Sequence, residues 1–413
     1  MTPRHLAVRS TPHAIRVLYV IGSMGIGGAE QHLLNISRAL AQRGFACEVF
    51  ALDPEGPLRS RFEQAGVPVI GVRLPAWLQR CLPHPRLRAR VRLSLAAPYL
   101  VWHYWHRQPH VGHFFLPAAY IIGGAAALLG PRMHRIMSRR SLNLYQAHHG
   151  LLRKLEFWLH SKMDQVCGNS QAVIRDLQSE GIDESRLRLI YNGIELDRFK
   201  TARPREQVRA ELGIPASDLV FAMVANLIPY KGHADLIQAF ASIRTELPEN
   251  WTCLCIGRDD GIGQALRAQA EAAGIGEHLR FLGSRQDVPE LLCAADVGVL
   301  CSHEEGFSNA VLEGMAAGLP MVVTGVGGNG EAVLDGSTGL VTPARQPESL
   351  GQALLRLALN PQERLAMGQR GAVRAQDTFS MKACVDQYVA MYEASQADAH
   401  LHNEEHRRKS ESR

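Results

Sequence analysis

The sequence predicts an α/β protein made of two parallel sheets in two successive domains, and three observations carry that prediction. The first is a strand, glycine turn, helix and strand in succession near the start. The second is the same strand and helix rhythm restarting after a polar, proline-bearing stretch at residues 195–215. The third is a length of 413 residues, which suits two domains of ordinary size. Strands joined through helices must run parallel, with right-handed crossovers.

Taken in order, residues 15–21 read as the first strand, Ile-Arg-Val-Leu-Tyr-Val-Ile. The turn at 22–28 is glycine-rich. Residues 29–43 place Leu33, Leu34, Ile36, Ala39 and Leu40 at helical spacing, and Gly44 stops that helix. Strands follow at 47–52 and 67–72. Residues 83–107 mix arginines with Tyr99, Trp102, Tyr104 and Trp105, just after Trp77, and predict at least one helix with an exposed basic and aromatic side. Strands are expected at 110–115, 134–138, 165–168 and 187–191. Between them lie a small-residue helix at 118–129 and a helix at 150–161. The second domain shows strands at 219–225, 252–257, 279–282, 297–300 and 321–324, alternating with helices at 234–244, 263–273, 288–294, 309–317 and 347–359. The domains are therefore placed at 15–195 and 196–376, with a closing helix at 377–394 crossing back to the first. Residues 395–413 are polar and read as a mobile tail. Two such domains imply a ligand between them.

The net charge of +5 is unevenly spread. Residues 64–155 contain thirteen Arg and Lys and no Asp or Glu, so the rest of the chain carries −8. A basic face attracts phosphates, anionic lipids or nucleic acid. No nucleic-acid recognition motif accompanies it, which leaves the first two. The eight cysteines are scattered, and Cys253-Leu254-Cys255 is not a CxxC pair. Free core cysteines in a reducing compartment are expected. The first fourteen residues lack an apolar signal-like run. The nearest approach to a membrane span, residues 114–129, is short and interrupted by Pro117. A cytoplasmic protein is expected.

Two places carry chemistry. Gly25, Gly27 and Gly28 open a helix, where backbone N–H groups can meet a ligand. Their spacing is not GxGxxG, although Asp53 after the second strand keeps a dinucleotide site open. The stronger feature runs from Glu305 to Glu313, between a strand and a helix. The N–H groups of Phe307, Ser308 and Asn309 would point at an anion, Glu313 would take paired ribose hydroxyls, and Glu305 would grip a sugar. Asp259-Asp260 lacks a metal-binding spacing, and no DxD cluster is present. His113 and His148 read as structural or merely polar.

These residues resemble the retaining GT-B glycosyltransferases of family 4 (group 1), which serve bacterial polysaccharide and lipid glycan synthesis. The resemblance spans residues 15–376. It rests on Glu305 and Glu313 as the Glu-x7-Glu motif, Gly27-Gly28-Ala29-Glu30, Asn192-Gly193-Ile194-Glu195, Lys231-Gly232, and Gly327-Gly328 followed by Glu331. It implies two Rossmann-like lobes across a cleft, with the nucleotide on the second. Glu313 would then bind the ribose, Glu305 the transferred sugar and Lys231 the diphosphate. Two departures stand out. Asn226 occupies the place of the usual diphosphate-binding arginine. Arg139 falls where the family often has a histidine, and an arginine stays protonated, so it would neutralise phosphate and not act as a base.

The resemblance implies metal-independent transfer of a hexose from a UDP- or GDP-linked sugar to a lipid-linked or polysaccharide acceptor, with no bound cofactor. The catalytic set would be Glu305, Lys231 and Arg139. Gly27, Gly28, Asn226, Lys231, Phe307, Ser308, Asn309 and Glu313 would bind the nucleotide sugar. The acceptor would use the first lobe, whose basic, aromatic stretch suits a peripheral contact with the inner face of the membrane. The alternatives are a sugar-nucleotide epimerase and a non-catalytic nucleotide-sugar-binding protein.

Overall fold

The computed structural model describes residues 14–82, 84–142, 150–200 and 202–411. His148 lies outside them. The chain divides into two compact units. Unit 1 holds the described residues up to Gly168, then Ile174–Ile190 and the chain from Cys384 onward. Unit 2 holds Asn169–Val173 and Tyr191–Ala383.

The sheet of unit 1 has seven parallel strands: β1 Arg16–Ser23, β2 Ala46–Asp53, β3 Val69–Ile70, β4 Val111–Phe115, β5 His134–Arg139, β6 Gln165–Gly168 and β7 Leu187–Leu189. Their order is β3-β2-β1-β4-β5-β6-β7. β1 is central, with Tyr19 paired to Val49 on one side and His113 on the other. Both faces of β1 are covered, which is why its residues read as an unbroken apolar run. The strand order reverses between β1 and β4, the place where such sheets hold ligands beyond the strand ends.

The predicted small-residue helix is Pro117–Ala127. A Cβ on its Gly123 would lie 2.8 Å from the ring of Phe114. Its small residues therefore let the helix close onto β4. Leu116 enters this helix at φ 70° and ψ 153°, a conformation that L-residues avoid.

The opposite face of the sheet is sealed by the last helix, Met381–Glu411, which runs on through the polar segment set apart as a tail. Tyr388 and Tyr392 of this helix are buried. His113 Nδ1 and the Tyr392 hydroxyl lie 2.7 Å apart, and His113 Nε2 meets Ser138 Oγ at 2.7 Å. Burial holds the His113 imidazole well below its usual range, so it is neutral. Tyr392→Phe should strand a buried histidine nitrogen and lower stability by about 1–3 kcal/mol, read from the thermal unfolding midpoint.

Unit 2 contains β8 Leu219–Val224, β9 Trp251–Ile256, β10 Leu279–Gly283, β11 Val297–Leu300, β12 Met321–Thr324 and β13 Gly339–Thr342. All are parallel, in the order β10-β9-β8-β11-β12-β13. Phe221, Phe240 and Trp251 stack at the core, with ring centroids 4.6 to 6.2 Å apart.

Some elements differ from expectation. The polar stretch 195–215 holds the helices Asp197–Lys200 and Arg205–Glu211, both in unit 2. There Arg209 is buried and donates to Asp296 Oδ2 at 2.8 Å. The basic, aromatic stretch forms one 23-residue helix, Pro85–Arg107, despite Pro98 inside it. Pro98 is exposed, so water can satisfy the carbonyl its missing N–H leaves unpaired.

Candidate active site

In unit 2 the chain folds two loops onto one another beyond the ends of β8 and β11. Close backbone approach makes this possible at two glycines. Gly232 sits at φ 77°, and a Cβ there would fall 2.0 Å from the carbonyl oxygen of Cys301. Gly327 sits at φ 53°, where a Cβ would fall 1.8 Å from the carbonyl oxygen of Glu305. Only glycine fits either place. The first brings Lys231 beside the Glu305 loop, and the second presses the glycine turn at 325–328 against its back.

The result is a short ion pair. Lys231 Nζ lies 2.5 Å from Glu305 Oε1, and Ser302 Oγ donates to the same oxygen at 2.8 Å. Both charged side chains are largely covered, at 18% and 11% exposed. A second brace runs beside the first: His303 Nε2 and Asp235 Oδ2 are 2.9 Å apart, and His303 N donates to the Tyr230 carbonyl. Together they fix the ammonium and the carboxylate.

The helix Asn309–Ala316 starts at Ser308, whose side chain makes no capping bond. Among the described residues, the N–H groups of Phe307, Ser308 and Asn309 have no acceptor. Unfilled amides at a helix start favour an anion. The Phe307 ring is buried against Tyr191 and Phe379, at 5.0 and 5.4 Å, so this residue offers its backbone and not its ring. Asn192 ties the loop down. Its Nδ2 donates to the Phe307 carbonyl at 3.1 Å and to Asn309 Oδ1 at 2.6 Å. The Asn192-Gly193 motif thus has a structural task, and the Asn309 side chain is engaged while its N–H is open.

One turn into the helix is Glu313, half-buried. Burial pushes its carboxyl up to about 7, against the opposing pull of the Arg198 guanidinium. His233, two residues past Lys231, is buried with neither ring nitrogen bonded among the described residues. Burial and then the Lys231 charge lower its imidazole to about 4. Asn226 accepts from the Arg258 N–H at 3.1 Å, which leaves its Nδ2 as the donor it can offer. Asp259 Oδ1 accepts from the N–H groups of Gly261 and Gly263, and Asp260 pairs with Arg258. Glu331 accepts from the N–H groups of Gln171 and Ala172, at 2.7 and 3.0 Å, and so caps the helix Gln171–Ser179.

The remaining sequence-predicted residues lie in unit 1. Gly27 caps the helix Gly28–Gln42, and the Glu30 carboxylate folds back over it, 2.3 Å from where a Cβ would stand. Asp53, the mark of a dinucleotide site, is paired with Arg92 at 2.7 Å.

Arg139 departs from the expected role. It is buried at the end of β5 and makes a two-pronged ion pair with Glu180, at 2.6 and 2.9 Å, with Asp176 at 3.6 Å. Glu180 Oε2, which accepts one of these two bonds, also meets His160 Nε2 at 2.9 Å, and His160 Nδ1 meets the Tyr120 hydroxyl. Both terminal nitrogens of this guanidinium are taken by that one carboxylate. Arg139→Met should leave the Glu180 carboxylate buried without its cation and cost about 3–5 kcal/mol of stability, seen as early thermal unfolding of unit 1. Strand alternation sends the next arginine the other way. Burial first, and then the Arg140 charge, lower the imidazoles of His32 and His113.

Two parallel α/β units, the second carrying a cation and two carboxylates around an open helix start, define the GT-B glycosyltransferase class. The chain belongs to the family 4, group 1 glycosyltransferases. Residues 26–198 match the model described as Glycosyltransferase Family 4, and residues 204–374 match that of Glycosyl transferases group 1. Similar proteins include the D-inositol 3-phosphate glycosyltransferase of Corynebacterium glutamicum (strain R), 30% identical over 62% of this chain and 63% of that protein. That of Geodermatophilus obscurus is 29% identical over 91% and 86%. Several of these alignments span only about half to two-thirds of the relative's length. Among solved structures, Anabaena HepE in complex with UDP aligns with TM-score 0.79 and 21% identity, over 92% of this chain and all of that one. WaaG, a glycosyltransferase of lipopolysaccharide biosynthesis, aligns at 0.67 and 19%, over 91% and 99%. At these identities the likeness concerns the fold.

Proposed function

We propose that the chain transfers a hexose from a nucleotide-diphosphate sugar to a lipid-linked or polysaccharide acceptor in cell-surface glycan synthesis. Transfer retains the anomeric configuration and needs no metal. The observation that carries this reading is the Lys231–Glu305 pair beside the open amides of Phe307, Ser308 and Asn309. A UDP donor is favoured, because the HepE structures hold UDP, UDP-glucose, or UDP with glucose.

In the step itself the acceptor oxygen bonds to the anomeric carbon as the bond from that carbon to the phosphate oxygen breaks. The diphosphate leaves with the electron pair, and the acceptor proton passes to the departing phosphate oxygen. Negative charge grows on that oxygen, and the Lys231 ammonium and the helix start stabilise it. The Asn226 amide adds a neutral donor. Glu305 holds the sugar's hydroxyls, and Glu313 takes the ribose diol. Arg139 drops out of the catalytic set.

Release of nucleoside diphosphate from UDP-, GDP-, ADP- and dTDP-sugars, with and without membrane lipid extract, tests the reading. One donor should turn over, and only with an acceptor present. Conversion of the donor to its epimer with no diphosphate released would replace this reading with the epimerase. Lys231→Met should lower turnover about 100-fold or more.

A further inference from the structure

We propose that unit 1 docks on an anionic lipid bilayer through the outer surface of its helices Ala76–Cys81, Pro85–Arg107 and Gly150–His160. The inference concerns the surface of unit 1 and stands or falls apart from the transfer chemistry.

The longest of these helices carries the case. At 100° per residue, Leu87, Val91, Leu95, Pro98, Trp102 and Trp105 fall within about a quarter of its circumference. That sector faces outward: the buried residues are Ala96, Leu100, His103 and Tyr104, on the other side. Trp102 and Trp105 are 56% and 57% exposed. Arginines flank the stripe on both edges, Arg86 and Arg90 on one and Arg88 and Arg92 on the other. An apolar stripe with tryptophan, edged by cations, matches a helix lying in a membrane interface.

The neighbours extend the pattern. The helix Pro117–Ala127 packs against both Pro85–Arg107 and Gly150–His160, so the three form one layer on the sheet. Each is followed directly by a strand, β4, β5 or β6, so their last turns share one end of the layer. Trp105 Nε1 donates to the carbonyl of Leu129, itself largely exposed. On Gly150–His160, Leu152, Leu155 and Trp158 are exposed beside Arg153 and Lys154, with Lys162 Nζ 5.9 Å from the Trp158 ring. Trp77 is exposed on the short helix before them. Residues 64–155 hold no acid, and Glu156 is buried. At its N-terminal end the stripe reaches an open pocket of about 400 Å³ lined by Arg73, Arg88, Arg92, Gln79 and Glu55. The loop that carries Glu55 is hydrogen-bonded to the glycine turn, Leu58 N to the Met24 carbonyl. A bilayer seated on the stripe therefore brings its phosphates to arginines beside that turn.

Charge selects the occupant. A second copy meeting the same face would set cations against cations. A polyanion without an apolar interior would leave the Leu and Trp stripe wet. An anionic bilayer satisfies both parts.

The test is flotation of the full chain with vesicles of phosphatidylcholine alone or with about 30% phosphatidylglycerol. The chain should float with the anionic vesicles only, with a blue shift of tryptophan emission. Trp102→Ser with Trp105→Ser should weaken binding about tenfold or more, while the fold is kept and the unfolding midpoint falls only slightly, because both rings are more than half exposed and the Trp105–Leu129 hydrogen bond lost is at the surface. Arg86→Gln and Arg90→Gln should each cost roughly fivefold. Three results would overturn the proposal: no binding, equal binding to neutral vesicles, or anionic binding that the tryptophan pair does not affect, which is adsorption by charge alone. Sedimentation showing a dimer that the tryptophan changes dissolve would assign the face to a second copy instead.

Discussion

Glu305→Gln should abolish most turnover, about 100- to 1000-fold, while the nucleotide sugar binds as tightly as before or tighter. The asymmetry follows from the ion pair. In the free protein the Glu305 carboxylate holds Lys231 Nζ at 2.5 Å and takes the Ser302 hydroxyl. A glutamine keeps an oxygen for both donors but gives back the full charge of the lysine. That charge is then free for a diphosphate, so ground-state affinity is preserved or improved. What is lost, in the role proposed for Glu305, is a carboxylate gripping the transferred sugar as its anomeric centre becomes electron-poor, a contact worth more in the transition state than before it. Titration of UDP-sugar by calorimetry beside steady-state diphosphate release separates the two effects. Affinity and turnover falling together would mean that Glu305 positions Lys231 and does not itself face the sugar.

Much of this site was legible in the residue order, for a physical reason. A helix start needs its glycine and small polar residues within a few positions, and the strand before it announces itself by an unbroken apolar run. β6, β11 and β12 fall at 165–168, 297–300 and 321–324, as expected from such runs. What pairs with Glu305 is set by folding and not by sequence neighbourhood. Lys231 lies 74 residues away and reaches it because Gly232 tolerates the Cys301 carbonyl. The His303–Asp235 brace and the Asn192 tether were equally invisible. Arg139 went astray on a point that was available: side chains alternate along a strand. Ser138 faces His113, so Arg139 must face away from it, and Arg140 returns to that side. The helices Gln171–Ser179 and Pro361–Phe379 and the strand β13 were missed. The first is started by Glu331, 160 residues further on, and local pattern could not supply that cap.

Glu313→Gln should make the protein more stable at pH 8 and worse at holding its donor. Burial raises this carboxyl to about 7, above its value in an unfolded chain of about 4.3. The folded state therefore holds the proton more tightly than the unfolded one. Its stabilising share is complete below pH of about 4.3, declines as pH rises toward 7, and is gone above that. At pH 8 the ionised Glu313 sits in poor solvent at a cost of about 2 kcal/mol, after a discount for its partial exposure. Glutamine removes that cost, so the midpoint of unit 2 should rise by about 4–8 °C at pH 8 and much less at pH 5. Binding runs the other way. Two ribose hydroxyls donating to a carboxylate favour the ionised form, so donor affinity should weaken about tenfold between pH 8 and pH 6. The intact UDP-sugar is the right probe, because the terminal phosphate of free UDP titrates in the same range. In Glu313→Gln the affinity should be lower by about tenfold or more at pH 8 and flat with pH. A residue whose removal stabilises the fold while costing affinity is placed for a ligand and not for packing. If the variant instead unfolds earlier at pH 8, Glu313 is part of the scaffold, and the ribose must be held elsewhere.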